Sequence, residues 1–90
     1  MFKEKTIKCF EFDDVNYVVE VVETIENDFT DVDFWLQKKG YGVKSLMFGF
    51  TKKALFMMCD EHTTYEDMLL ELIRANILNQ IRLYENDYAD

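Results

Sequence analysis

The chain has 90 residues, with 18 acidic against ten basic side chains and a formal net charge of −8. This length forms one domain, here residues 1–90, which excludes a two-domain enzyme. A composition of 49% hydrophobic residues with three glycines and no proline is typical of a globular protein and unlike a disordered linker. The negative charge opposes binding to free nucleic acid or anionic membranes, so we expect neutral or basic partners.

The N-terminal residues and the cysteines bear on the compartment. Residues 1–8 contain three lysines and a glutamate, and no apolar run approaches the roughly 18 residues of a membrane-spanning helix. Cys9 and Cys59 are too few for a disulfide framework. We therefore expect a cytoplasmic protein with reduced thiols, and a single bridge between the two cysteines is the alternative.

The first third of the chain predicts a β-hairpin. Residues 5–12 alternate imperfectly between apolar and polar side chains, which indicates a strand with a bulge or with apolar contacts on both faces. Residues 15–25 place valine, tyrosine and isoleucine at alternate positions, as in a second strand. Asp13 and Asp14 interrupt the two runs and predict the turn.

The middle of the chain predicts a short helix followed by two strands. Thr30 or Asp31 is a candidate N-cap and Gly40 a candidate C-terminal residue for a helix of about two to three turns. Residues 43–51 alternate as a strand does. Residues 54–59 are apolar at every position, which is typical of a central strand covered on both faces.

The last third predicts a long helix. Thr63 with Glu66, or Thr64 with Asp67, forms a capping box before an apolar-periodic segment, and we expect residues 85–90 to be a frayed acidic tail. The predicted order is β-β-α-β-β-α. It corresponds to an α+β fold in which a four-stranded, mainly antiparallel sheet is packed by a short helix and a long C-terminal helix.

Acidic residues are concentrated in the N-terminal half, where no basic residue lies between Cys9 and Gln37. We interpret this segment as a negative surface that binds a basic groove, as a mimic of nucleic-acid phosphates would. The alternative is a solvated face that only keeps the protein soluble. The candidate partner-binding residues are Glu11, Asp13, Asp14, Glu20, Glu23, Glu26, Asp28, Asp31 and Asp33.

The apolar side chains of the C-terminal helix cover more than one stripe, so this helix needs an enclosing or partner surface. Three amides lie inside the apolar arc, where they would be unpaired if buried in a monomer. They either pair across a dimer interface or reach loop backbone and water. The candidate interface residues are Leu69, Leu72, Asn76, Asn79, Gln80 and Leu83.

The middle of the chain is basic, with five lysines and no acid over residues 38–59. Lysines around Gly40 and Gly42 suggest a phosphate site, while pairing with the acidic flanks is the alternative. An aromatic-rich region suggests a small anionic-ligand binder as a further class of function. Its residues are Trp35, Tyr41, Phe48 and Phe50.

Catalytic chemistry is poorly represented. His62 is the only histidine, and with Cys59 it gives an isolated C-x-x-H spacing, too little for a metal site or a nucleophile with its base. We predict no catalytic residue, no metal site and no cofactor, and hence no enzyme.

The leading hypothesis is a non-catalytic acidic interaction protein that occupies a basic, nucleic-acid-binding site on a partner protein. Such a role is that of a stoichiometric inhibitor, as in small phage or bacterial proteins. We expect no direct contact with nucleic acid or membrane. The alternatives are a structural or regulatory homo-oligomer, with a homodimer through the C-terminal helix, and the small-ligand binder.

Overall fold

Four antiparallel strands form an open sheet whose one face is covered by two helices. The computed structural model describes residues 3–88, and neighbouring strands in the sheet follow the chain order β1-β2-β3-β4. The elements are β1 (Lys3–Phe12), β2 (Tyr17–Ile25), β3 (Thr30–Lys38), β4 (Lys44–Thr51), α1 (Lys52–Met58) and α2 (Tyr65–Tyr88).

The alternation of side chains along the two central strands builds the core. Val19 and Val21 of β2 lie opposite Leu36 and Phe34 of β3, and all four side chains are buried beneath the helices. Phe34 extends this layer to β4, where Phe48 is its cross-strand partner with ring centroids 4.8 Å apart. The residues between these positions point to the other face of the sheet.

The predicted hairpin is confirmed, together with the bulge in its first strand. The register between β1 and β2 shifts between Thr6 and Lys8, so Ile7 is the extra residue. Asn16 closes the β1–β2 turn with a positive φ of 65°, a conformation that asparagine tolerates better than most residues.

The long C-terminal helix is confirmed, and Thr64, one of the two threonines predicted to cap it, is the residue that does so. The Thr64 hydroxyl accepts a hydrogen bond from the Asp67 backbone N–H at 3.1 Å. Near the other end, the Tyr84 hydroxyl donates to the Val43 carbonyl at 2.6 Å and fixes α2 to the β3–β4 connection. The helix continues through Tyr88, so the predicted tail is wrong for residues 85–88, and residues 89–90 lie outside the described part.

The α+β class, the four antiparallel strands and the two helices are confirmed, but the predicted order is wrong because two segments exchange their structures. Residues 30–38 form β3 rather than a helix, and Gly40, with φ of 86°, serves the β3–β4 turn. The apolar run after Thr51 forms α1 rather than a strand. Thr51 caps it by accepting a hydrogen bond from the Ala54 backbone N–H.

Within residues 3–88, no helix combines the length and the hydropathy needed to cross a membrane. Cys9 lies on β1 and Cys59 follows α1, and both are free thiols. The alternative of a bridge between them is therefore wrong.

Candidate interaction surface

The candidate site is the open face, by which we mean the face of the sheet opposite α1 and α2. Its centre is a row of four cross-strand neighbours: Cys9, Glu20, Trp35 and Leu46. Trp35 is only partly exposed, because side chains of the adjacent strands pack around it. No helix of the described chain covers this row, so an aromatic side chain stands at the middle of an uncovered sheet.

A shallow depression of about 410 Å³ surrounds Trp35 on the open face. Its apolar surface comes mainly from Trp35 and Val22, while carboxylates, hydroxyls and two lysines supply the rest of the lining. The lining residues are Glu4, Lys5, Thr6, Glu20, Val22, Thr24, Asp33, Trp35 and Lys44. The lining is therefore mainly polar and charged around the aromatic side chain of Trp35, unlike the mainly apolar lining of a small-molecule pocket.

Glu20, on one side of Trp35, is neutralised within the chain. Its carboxylate accepts hydrogen bonds from the Lys44 ammonium at 2.6 Å and from the Thr6 hydroxyl. The Lys44 bond, with that from Thr6, lowers the pKa of Glu20, and the same bond raises the pKa of Lys44. Glu20 therefore shapes the wall of the depression without contributing an unpaired charge.

Asp33, on the other side of Trp35, makes no ion pair within residues 3–88. It lies opposite Gly49, where a Cβ would collide with the Asp33 carboxylate oxygen. Partial burial raises the pKa of Asp33, and the nearby charges of Asp31 and Glu4 raise it further. A cationic side chain of a partner would therefore offset the repulsion between the Asp33 carboxylate and the charges of Asp31 and Glu4.

Five acidic residues at this end of the sheet form what we call the acidic corner. Glu4 and Asp31 lie in one cross-strand row with Thr24 between them, and the β2–β3 turn adds two more carboxylates at the same end. Its members are Glu4, Glu26, Asp28, Asp31 and Asp33. Within residues 3–88, none of the five makes an ion pair.

Glu4 is the member that sequence reasoning missed, because it precedes Cys9 and lies among lysines in the sequence. Alternation places Glu4 on the open face, whereas Lys3 and Lys5 belong to the opposite phase of β1, and Lys5 reaches the lining of the depression from that neighbouring position. The register of the predicted hairpin was the signal that could have identified it.

The nine predicted partner-binding residues do not gather into one surface. Asp13 and Asp14 lie in the β1–β2 turn, at the opposite end of β2 from Glu26 and Asp28. Glu11 and Asp13 both pair with Lys39, which removes them as free charges. The expectation of a single patch therefore holds only for the part that belongs to the acidic corner.

Glu23 is the clearest correction among the nine. It lies on the helix-covered face, only 7% exposed, and its carboxylate pairs with the Lys52 ammonium of α1 at 2.8 Å. The prediction assigned Glu23 by its charge, although alternation along the strand places it in the same phase as Val19 and Val21, which face the core. Glu23 therefore links β2 to α1 through its ion pair with Lys52.

Four of the five lysines in the basic middle of the chain pair with acidic residues of the flanks, as the alternative prediction for this segment expects, and within residues 3–88 Lys53 is the exception. Lys38 pairs with Glu85 at 3.3 Å, and Lys39, Lys44 and Lys52 pair with acids of the first two strands and their turn. Lysines committed in this way do not form a free phosphate site.

The predicted oligomer interface on α2 is divided between core and surface. Leu69 is buried against the sheet and Leu72 is a partly buried residue packed on the same core, so both contribute to packing within the chain. Asn76 donates to the Leu72 carbonyl and Asn79 accepts from Arg82, which satisfies those amides within the monomer. The two other members, Gln80 and Leu83, are partly exposed.

The four aromatic residues considered for a small-ligand site do not come together in one pocket. Phe48 and Phe50 pack on Phe34 beneath the helices, while Trp35 faces the open side, so they share no pocket. Tyr41 lies instead in the β3–β4 connection beneath Lys38.

His62 is exposed and sits beside Glu61, with 3.4 Å between the imidazole and the carboxylate. The Cys59 thiol donates to the Leu55 carbonyl. No three metal-binding side chains cluster within residues 3–88.

Comparison with protein-family models, curated proteins and solved structures gives no match.

Proposed function

We propose that this protein is a non-catalytic binding module whose open face docks on a basic surface of a partner protein. The observation that carries the proposal is that Glu4 and Asp33, which make no ion pair within residues 3–88, line the Trp35 depression on an uncovered sheet face. Asp31, likewise without an ion pair in that range, lies beside them as the cross-strand neighbour of Thr24. The carboxylates attract a basic surface and Trp35 supplies apolar contact once the surfaces meet.

The geometry suits a surface rather than a single ligand atom. Asp31 and Asp33 are two residues apart on one strand, which separates them by about 6.6 Å, and β2 separates Glu4 from Asp31 by about 10 Å. Charges at these spacings reach several side chains of a basic partner. Opposite charges across an interface raise the association rate and select against acidic partners.

Trp35 is the expected anchor of this interface. Tryptophan is enriched among the residues whose truncation costs most binding energy, particularly near the centre of an interface. Trp35 occupies that position in the open face, flanked by Glu20 and Leu46. Its replacement by alanine should weaken binding by about 2 kcal/mol or more, the threshold of such anchor residues.

We further propose that the partner surface normally binds nucleic acid, which makes the protein a stoichiometric inhibitor. An array of carboxylates presented on a rigid sheet competes for the same lysines and arginines that hold phosphates. The net charge of −8 keeps the protein itself from nucleic acid. We propose a cytoplasmic location, which the two free thiols support.

The test compares two variants that remove the same charge from different places. Asp31→Asn/Asp33→Asn changes the acidic corner, while Glu71→Gln/Asp87→Asn changes exposed positions of α2. Each immobilised protein is incubated with cell extract at low and high salt, and the captured proteins are quantified. A captured protein is then purified, and duplex DNA is added as competitor.

We expect the α2 variant to retain the partner and the corner variant to lose it. Added salt should weaken binding, and duplex DNA should displace the protein from its partner. Equal capture by both variants, or an affinity that salt leaves unchanged, would contradict docking through the acidic corner. Failure of DNA alone to compete would remove only the inhibitor role.

A further inference from the structure

A second surface feature lies on the helix side of the molecule. A groove of about 300 Å³ runs between the β1–β2 turn and the middle of α2. Phe12, Val15 and Ile77 supply its apolar walls. Asp14 and Arg74 add one charge of each sign, and Leu78 completes the lining.

Leu78 is an exposed leucine beside this apolar groove. It is 71% exposed, and its neighbours one turn away on α2 are Arg74 and Arg82. A single exposed leucine is common on protein surfaces, but Leu78 is continuous with the apolar side chains that line the same groove, and a contiguous apolar patch marks an interaction surface. The surface therefore carries both a projecting apolar side chain and an apolar groove.

The charges of the groove are also self-complementary. Neither Asp14 nor Arg74 takes part in an ion pair within residues 3–88. In a two-fold dimer, each residue that contacts a second residue of the other copy is contacted by it in return. One two-fold axis beside Leu78 would therefore create two Asp14–Arg74 pairs at once.

We propose that this groove is occupied by a second copy of the chain. Leu78 of each copy packs into the groove of the other, and Asp14 of each copy pairs with Arg74 of the other. We choose a second copy as the occupant because the exposed Leu78, the groove and the opposite charges of Asp14 and Arg74 lie on one surface. The dimer forms on the helix side and leaves the open face free, so this inference stands independently of the proposed function.

The first test is the oligomeric state of the purified chain over a concentration series by sedimentation velocity. We expect a reversible monomer–dimer equilibrium. Leu78→Glu buries a charge in the interface twice, once per copy, and should weaken dimerisation about 100-fold or more. Leu83→Glu is the matched control: this residue is 46% exposed on the same helix and does not line the groove, so the variant should dimerise normally.

A charge exchange tests the two-fold arrangement itself. Asp14→Arg and Arg74→Asp should each weaken the dimer, because each creates two like-charge contacts, and the double variant should restore it. Circular dichroism checks that every variant is folded. A chain that stays monomeric at the highest concentration, a Leu78→Glu dimer as tight as the unaltered one, or a double variant as weak as the single ones would each overturn the proposal.

Discussion

The ion pair between Glu23 and Lys52 allows a direct test of whether Glu23 stabilises the fold rather than binding a partner. Its two side chains are 9% and 36% exposed, with 2.8 Å between Nζ and Oε1. Lys52→Met removes the cation and leaves a carboxylate at a core-facing position of β2. Breaking a fully buried pair costs about 3 to 5 kcal/mol, and the partial exposure of Lys52 reduces this to about 2 kcal/mol.

Urea or thermal unfolding measures this loss. For a domain of this size, about 2 kcal/mol corresponds to a fall in Tm of roughly 8 to 16 °C. Lys53→Met is the matched control, since Lys53 is exposed and makes no ion pair within residues 3–88, and it should change stability by less than about 0.5 kcal/mol.

The double variant Glu23→Met/Lys52→Met should recover most of the stability, because apolar side chains replace a buried pair at little cost. Neither substitution should alter binding to a partner. A Lys52→Met variant as stable as Lys53→Met would refute the assignment of Glu23 to the fold.

Three further predictions concern stability. The hydrogen bond from Lys44 is the main reason why the pKa of Glu20 is lowered in the folded protein. The stability that Glu20 contributes is therefore fully present above its unfolded pKa and is lost as the pH falls through the lowered folded pKa. Lys44→Met should reduce this loss of stability in an acid-unfolding profile. An unchanged profile would contradict the pairing. Tyr84→Phe should cost about 1 kcal/mol in urea unfolding, because the Val43 carbonyl loses its donor; no loss would mean that this bond adds nothing net. Asp33→Asn should raise stability at neutral pH by about 0.2 to 1 kcal/mol, because it removes like-charge contacts, and should lower partner binding. A less stable variant would show that the Asp33 charge is satisfied in the fold.

The first hairpin and the last helix were predictable because several local signals agree there. Alternating valines, a turn rich in aspartate and a capping threonine all point to the observed structures. The segment Thr30–Lys38 contains a conflict. Its threonine and aspartate resemble an N-cap and Gly40 resembles a helix end, yet Val32, Phe34 and Leu36 alternate with polar residues. The segment forms a strand because that conformation buries Val32, Phe34 and Leu36 together on one face, which outweighs the local helix signals.

The run after Thr51 was ambiguous for a different reason. Short apolar segments fit a buried strand and a helix equally well, and periodicity does not separate the two. In the fold only Leu55 of α1 is buried, while Phe56 and Met57 are exposed, an arrangement that a central strand would not allow. The capping threonine was the available signal for a helix.

The sequence shows the excess of acidic residues, but it does not show where in the fold each carboxylate lies. Composition identified the excess of carboxylates, whereas their division among the open face, two turns and the core depends on strand register and on pairing with lysines distant in sequence. Lys39, for example, neutralises Asp13 across 26 residues. Only a folded arrangement shows which carboxylates remain unpaired.

Docking through the open face can be followed by the fluorescence of Trp35, the only tryptophan in the chain. With a captured partner, we expect a blue shift of the Trp35 emission and reduced quenching by acrylamide, and both changes should be absent with the Asp31→Asn/Asp33→Asn variant. A tightly bound complex that leaves the Trp35 emission and its quenching unchanged would contradict docking through this face.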